Sequence, residues 1–193
     1  MKKNILIIYI LFAIQTYSQN EIHWDGKYQL QLTDFQSTST QIGNTKVSSL
    51  NCTSGFNFLV SMSNIEFLFT KNFNSKVNNR FMRDASSLVS PNKETVDCLI
   101  NFAQFQFNLS ELYARKLRKN LYDNKKTFSD VSFLKPIFDE TQKEYSIRLT
   151  NATKETDLGS KSSILQKLNA QVLIELEDYA EFCKECKISK KIK

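Results

Sequence analysis

Apolar and polar residues change their rhythm along this chain near residue 90. Before it, Tyr28, Leu30 and Leu32 alternate with Lys27, Gln29, Gln31 and Thr33, the two-residue period of a half-buried strand. Phe56, Phe58, Val60 and Met62 alternate again, and Ile65, Phe67 and Phe69 follow after Ser63-Asn64. The pair of runs reads as a hairpin or as two successive strands. Residues 71–80, rich in Asn and Lys, read as a loop. Ser90-Pro91 then suits a helix N-cap followed by proline at the first helical position.

From there the period is helical. Leu99, Phe102, Ala103, Phe105, Leu109, Leu112, Tyr113 and Leu117 predict one helix over 92–121, apolar on more than one face in its first half. A second helix is predicted over 129–153, with Pro136 either kinking it or resetting its start. Gly159 separates it from a third, where Leu165, Leu168, Val172, Leu176, Tyr179 and Phe182 make a packing stripe. Strands first and helices second give an α+β single domain, N-terminal antiparallel strands followed by three long helices.

The first residues are of another kind. Lys2 and Lys3 precede an apolar run from Ile5 to Ile14, and Ser18 precedes a polar stretch. This is the pattern of an export signal over 1–18 rather than of a buried strand, and it is too short to span a bilayer. The domain then occupies 19–186 and a basic tail 187–193, with the processed chain in the periplasm or outside the cell. Without Lys2 and Lys3 the net charge falls from +6 to +4. The tail calls for no more than a weak contact to acidic lipid or polymer, and no positive groove with interleaved aromatics suggests nucleic acid.

An exported chain with an even cysteine count invites disulfides. Four cysteines allow three pairings and sequence does not fix the connectivity; one of them, Cys52–Cys98 with Cys183–Cys186, would tie the strand region to the first long helix and close a small terminal loop. Cys183 and Cys186 also have redox spacing, but they close a helix, where the dipole disfavours a thiolate. The single histidine, His23, excludes multi-imidazole metal sites and leaves a Ser/His/Asp triad without a nucleophile elbow. P-loop and dinucleotide fingerprints are missing from the sequence.

The segment from Leu99 to Arg115 resembles the central helix of a bacterial secreted family, domain of unknown function 922, related to zincin-type peptidases. That helix carries His-Glu-Gln-x-His-Phe-Asp and then Glu-x-x-Ala-Arg. Gln104, Phe107, Glu111, Ala114 and Arg115 match it, and Asn108 approximates its Asp. Trp24 through Leu30, Leu32 and Asp34-Phe35 is similar to the family's opening. Glu155-Thr156-Asp157-Leu158-Gly159 is similar to its later Glu-Thr-x-His-Gly. The likeness runs from Ile22 to about Tyr179, weakly over 36–90. It implies a zincin-like fold.

The positions of the family's metal chemistry are changed. Its first His falls on Phe102, its general-base Glu on Ala103, its second His on Gln106 and its presumed third His on Leu158. Phe and Leu have no lone pair to give zinc, and Ala supplies no base. The expectation is therefore an exported, catalytically inactive zincin-like domain without cofactor, acting by binding a protein or envelope component or as structure. Gln106 and Glu111 are the candidates for a residual pocket, Glu111 alternatively pairing with Arg115. The alternative is a peptide or envelope-polymer hydrolase with a non-standard site.

Overall fold

A computed structural model describes residues 20–58, 62–127 and 129–188. The leader expected over 1–18, Val60 of the predicted strand and the last part of the basic tail lie outside the described residues. The strands are β1 (Glu21–His23), β2 (Gln41–Ile42), β3 (Ser49–Asn51), β4 (Ser54–Phe58), β5 (Val77–Met82) and β6 (Ser87–Ser90). A short helix α1 (Asn64–Phe69) interrupts them, and three long helices follow: α2 (Lys93–Asn124), α3 (Leu134–Thr156) and α4 (Ser162–Asp178). This is an α+β single domain with N-terminal strands and three long helices.

The strands form two small sheets. In the first, β5 lies between β1 and β4 and pairs antiparallel with both. In the second, β6 pairs antiparallel with β3 and, over two residues, parallel with β2.

Helix α2 spans about 48 Å at the usual rise and runs through the middle of the molecule. Val96, Leu99, Ala103 and Phe107 recur at steps of three and four and pack with Ile22, Leu30, Phe35, Phe81 and Leu88 from the strand half. Phe102, Phe105, Leu109 and Leu112 belong to the other cluster, which includes Tyr145 and Ala152 of α3 and Leu165, Val172 and Leu176 of α4. A helix apolar on both sides is the expected bridge between a sheet layer and a helical layer.

Several local expectations are corrected. The alternation at 28–32 forms no strand; Leu30 donates its N–H to the Gln104 side chain at 2.8 Å instead. Asp34 then accepts from Gln31 N at 2.8 Å and closes a 3-10 turn over Leu32–Asp34. Ile65–Phe69 is helical, because Ser63 Oγ accepts from Glu66 N at 3.1 Å and caps a first turn. The supposed loop over 71–80 contains most of β5, whose inward residues are Val77, Asn79 and Phe81. Asn79 can occupy a core position because Ser110 Oγ donates to it at 2.8 Å and its own amide donates to the Phe107 carbonyl at 3.3 Å.

The cap of α2 is Asn92, not Ser90; Asn92 Oδ1 accepts from Thr95 N at 2.9 Å. Pro136 falls in the first turn of α3, after a 3-10 turn at Val131–Phe133. Its missing N–H there sacrifices no helical bond, so it resets the start without a kink.

Candidate functional site

The four positions that align with the metal motif of the resembled family can be followed one by one. Phe102 and Ala103 are both buried, about 100° apart around α2, in the helical and strand clusters respectively. Leu158 is half-buried against both clusters. It stands in a turn where Asp157, Leu158 and Gly159 all take left-handed backbone, with φ of 50, 51 and 91°. A Cβ placed on Gly159 would come within 3.1 Å of Phe102 Cβ and 2.6 Å of the Cys98 carbonyl. The turn therefore presses its backbone onto α2 at Phe102.

Gln106 points elsewhere. Its amide donates to the Cys52 carbonyl at 3.0 Å, across to the β3–β4 connection. Glu111 is buried and accepts from Arg115 Nε at 3.2 Å and Arg118 Nη1 at 2.8 Å. Gln106 and Glu111 diverge by about 140° around the helix at 100° per residue, so the structure does not bring them into one pocket. Zinc does not fit the three ligand positions of the resembled motif, since Phe102 and Leu158 have no donor atom and the Gln106 amide donates to the Cys52 carbonyl. Among the described residues, no three His, Cys, Asp or Glu side chains gather as a metal site requires.

The residues that match the family pattern do meet. Asn108 Oδ1 accepts from Trp24 Nε1 at 2.9 Å and from Gln104 Nε2 at 3.1 Å, while its amide donates to Asn169 Oδ1 at 3.0 Å. The Arg115 guanidinium lies over the Trp24 ring, 5.2 Å from its centroid, a cation–π contact. With the Leu30–Gln104 bond, the opening segment is strapped to α2 at Trp24 and at Leu30, and Asn108 links α2 on to α4.

This network borders a cavity of about 180 Å³ between α2 and the start of α4. Five carboxamides line it: Gln29, Asn101, Gln104, Gln166 and Asn169. Ser162, Cys98, Gly159 and Leu165 complete the wall, which contains no ionisable side chain except the Cys98 thiol. Its volume is below the roughly 300 Å³ at which drug-sized sites begin, so it accepts one ring or one side chain. A second cavity of about 390 Å³ lies beyond the 157–160 turn and shares Cys98; Glu94, Thr95, Leu158 and Ser48 are among its walls.

The sequence reading passed over Asn101, Gln166 and Asn169. The available signal was spacing: amides at 101, 104 and 108 on α2, and at 166 and 169 on α4, recur on one face of each helix.

Cys183 and Cys186 form a disulfide. Cys52 and Cys98 are free, which corrects the other pairing. The physical reason is register: Cys52 is tied to Gln106, about 12 Å farther along the α2 axis than Cys98 at 1.5 Å per residue, and a disulfide needs Cα atoms within about 7 Å. Burial pushes the Cys52 thiol up to about 12, although Ser54 Oγ lies within hydrogen-bond distance at 3.3 Å. Burial likewise raises Tyr145 on α3. His23 is lowered, first by burial and then by the charge of Lys184.

Comparison of this chain with protein families, with curated proteins and with solved structures finds no match.

Proposed function

We propose that this chain is an exported domain of zincin-like descent that has exchanged catalysis for binding, and that the carboxamide-lined cavity between α2 and α4 is where it binds. The observation that carries the reading is the composition of that wall: five carboxamides and a serine, without a carboxylate, ammonium, guanidinium or imidazole. Each carboxamide offers donors and an acceptor and keeps its charge state at any physiological pH. Such a wall suits a neutral ligand rich in hydroxyl and amide groups. An envelope polysaccharide presenting one sugar ring fits the volume and the chemistry.

The zincin-like descent is supported by contacts between the residues that match the pattern. Trp24 with Asn108, Leu30 with Gln104, and Glu111 with Arg115 link segments of the likeness that lie far apart or a turn apart in the chain. The loss of catalysis is supported by the substitutions themselves. Phe102, Ala103 and Leu158 can pack as core where buried ionisable groups would need a metal to offset their desolvation.

The second reading is a hydrolase of peptides or envelope polymers that works through a non-standard site. Cys98 is the observation in its favour, a free thiol on the wall of both cavities. A thiol nucleophile needs an activating base or a depressed pKa; the carboxamide-lined wall offers no base, and the second cavity offers only the carboxylates Glu94 and Asp157.

The test begins with the purified chain from Gln19 on. Zinc is measured by elemental analysis, and peptide hydrolysis is followed with and without chelator. Stoichiometric zinc with chelator-sensitive cleavage overturns the reading; cleavage abolished by Cys98→Ser favours the hydrolase. Binding is followed by amide NMR with neutral oligosaccharides as probes. Shifts confined to residues around Gln104 and Asn169, lost in Asn169→Leu, support the proposal, and no shift with any probe counts against it.

A further inference from the structure

The end of the molecule where α1 meets the close of α2 carries a different chemistry. Phe67 anchors α1 in the core, whereas Ile65, Leu68 and Phe69 are 73, 44 and 82% exposed. These three stand at i, i+3 and i+4 and so share one helix face. Single exposed apolar residues are ordinary, but three on one short helix make a protruding patch. It borders a groove of about 480 Å³ lined by Leu68–Lys71 and, at the close of α2, by Asp123 and Lys125–Thr127.

The charges around it are one-sided. Glu66 is paired with Lys76 at 2.9 Å, and Asp123 with Lys119. Lys71, Lys125 and Lys126 have no carboxylate partner among the described residues. The Lys71 ammonium rests over the Tyr122 ring at 4.7 Å and that of Lys125 over Phe67 at 4.8 Å. The C-terminal segment is tied to this same end. Asn72 and Asn74 both donate to the Cys186 carbonyl, at 3.3 and 2.9 Å, and the Cys183–Cys186 disulfide closes the turn that carries it. Lys187, which follows Cys186 directly, is exposed there.

We infer that this end docks on an anionic lipid surface, with Ile65, Leu68 and Phe69 entering the boundary between headgroups and acyl chains and Lys71, Lys126 and Lys187 meeting lipid phosphates. Two features select a bilayer over a protein partner. The groove beside the apolar groups has otherwise polar and charged walls and so offers no apolar seat to a partner side chain, and the exposed basic groups Lys71, Lys126 and Lys187 stand on three separate segments, which suits a diffuse negative field. A small apolar wedge or a basic cluster alone binds weakly; the two together give stable, reversible attachment. The contact is peripheral: no described helix is long and apolar enough to cross a membrane.

The test is co-sedimentation of the chain from Gln19 on, since the apolar run at 5–14 would itself bind lipid. Vesicles of phosphatidylcholine are compared with vesicles containing about 30% phosphatidylglycerol, a composition that sets up the surface field. Binding at least about tenfold tighter to the anionic vesicles is expected, falling about fivefold for each of Lys71→Gln and Lys126→Gln. Phe69→Ser and removal of 187–193 each weaken it further. Ile174→Ser, which alters a side chain 69% exposed on α4, leaves it unchanged. All the substituted side chains are exposed, and circular dichroism confirms that each variant is folded. Equal binding to both vesicles, binding to neither, or anionic binding unaffected by Phe69→Ser and the lysine changes overturns the inference.

Discussion

Arg118 donates to Glu111 from 2.8 Å, two turns away along α2, and its side chain is wholly closed off from water. The same guanidinium donates to the carbonyls of Phe182 at 3.0 Å and Val77 at 2.8 Å, so one side chain holds the C-terminal segment and β5 to the central helix. Arg115 shares the carboxylate and donates to the Leu176 carbonyl at 2.8 Å. Two buried cations thus depend on a single carboxylate.

Removing that carboxylate leaves both cations uncompensated. Glu111→Ala is expected to cost about 3–5 kcal/mol in urea unfolding. The exposed pair Lys135–Asp139 on α3 supplies the contrast, and Asp139→Ala should cost less than about 1 kcal/mol. Equal losses in the two variants would show that the buried network is not coupled as described.

The turn at 157–159 supports two predictions of opposite sign. At Gly159 an added Cβ meets the Cys98 carbonyl at 2.6 Å, and that atom belongs to helix backbone that cannot step aside. Gly159→Ala should lower stability by more than about 1 kcal/mol. Asp157 takes left-handed backbone with a Cβ already present, so Asp157→Gly should raise stability by as much as about 1 kcal/mol. Thermal unfolding of the two variants checks both signs.

How far the fold can be read from the residues depends on what decides each segment. Helix α2 and the Leu165–Leu176 stripe of α4 are legible because apolar periodicity decides them, and burial follows that periodicity. The 28–32 stretch has the alternation of a strand, but Gln104 and Asp34 take the backbone N–H groups of Leu30 and Gln31. Those partners lie outside the window in which periodicity is read or act through side chains. At β5 the difficulty is reversed: Asn79 looks like a loop residue until Ser110, 31 positions away, satisfies it. The site is hidden for the same reason. Asn101, Gln104 and Asn169 are ordinary amides along the sequence, and only the packing of α4 on α2 puts them on one wall.

The link between α3 and α4 predicts a pH dependence. Arg148 donates to both oxygens of Glu175, at 2.8 and 2.7 Å, and Lys116 stands 3.7 Å from the carboxylate. The Arg148 hydrogen bonds foremost, with the charges of Arg148 and Lys116, hold the Glu175 carboxyl below its ordinary value against the opposing effect of burial. A carboxyl lowered by folding contributes stability above its unfolded pKa, and that contribution is lost as pH falls through the folded value. Glu175→Gln should therefore be less stable than the parent by about 1 kcal/mol at neutral pH. The gap should close in acid, once the parent's own carboxyl is protonated. A gap that persists unchanged at low pH would mean that the Gln variant disturbs packing instead.

The thiols offer a readout of both cavities. Cys98 lines each of them, whereas the Cys52 thiol is held near Ser54 with its ionisation pushed up to about 12 by burial. Alkylation proceeds through the thiolate, so a thiol so shifted is almost wholly unreactive near neutrality. Iodoacetamide on the folded, non-reduced chain should label Cys98 and spare Cys52, with Cys183 and Cys186 protected by their disulfide. Peptide mapping by mass spectrometry reads the sites directly. Adding denaturant should expose Cys52, and only a reductant should release the other two. A ligand seated between α2 and α4 should slow labelling at Cys98 without changing the order. Cys52 labelled first in the folded chain would contradict the burial described for it.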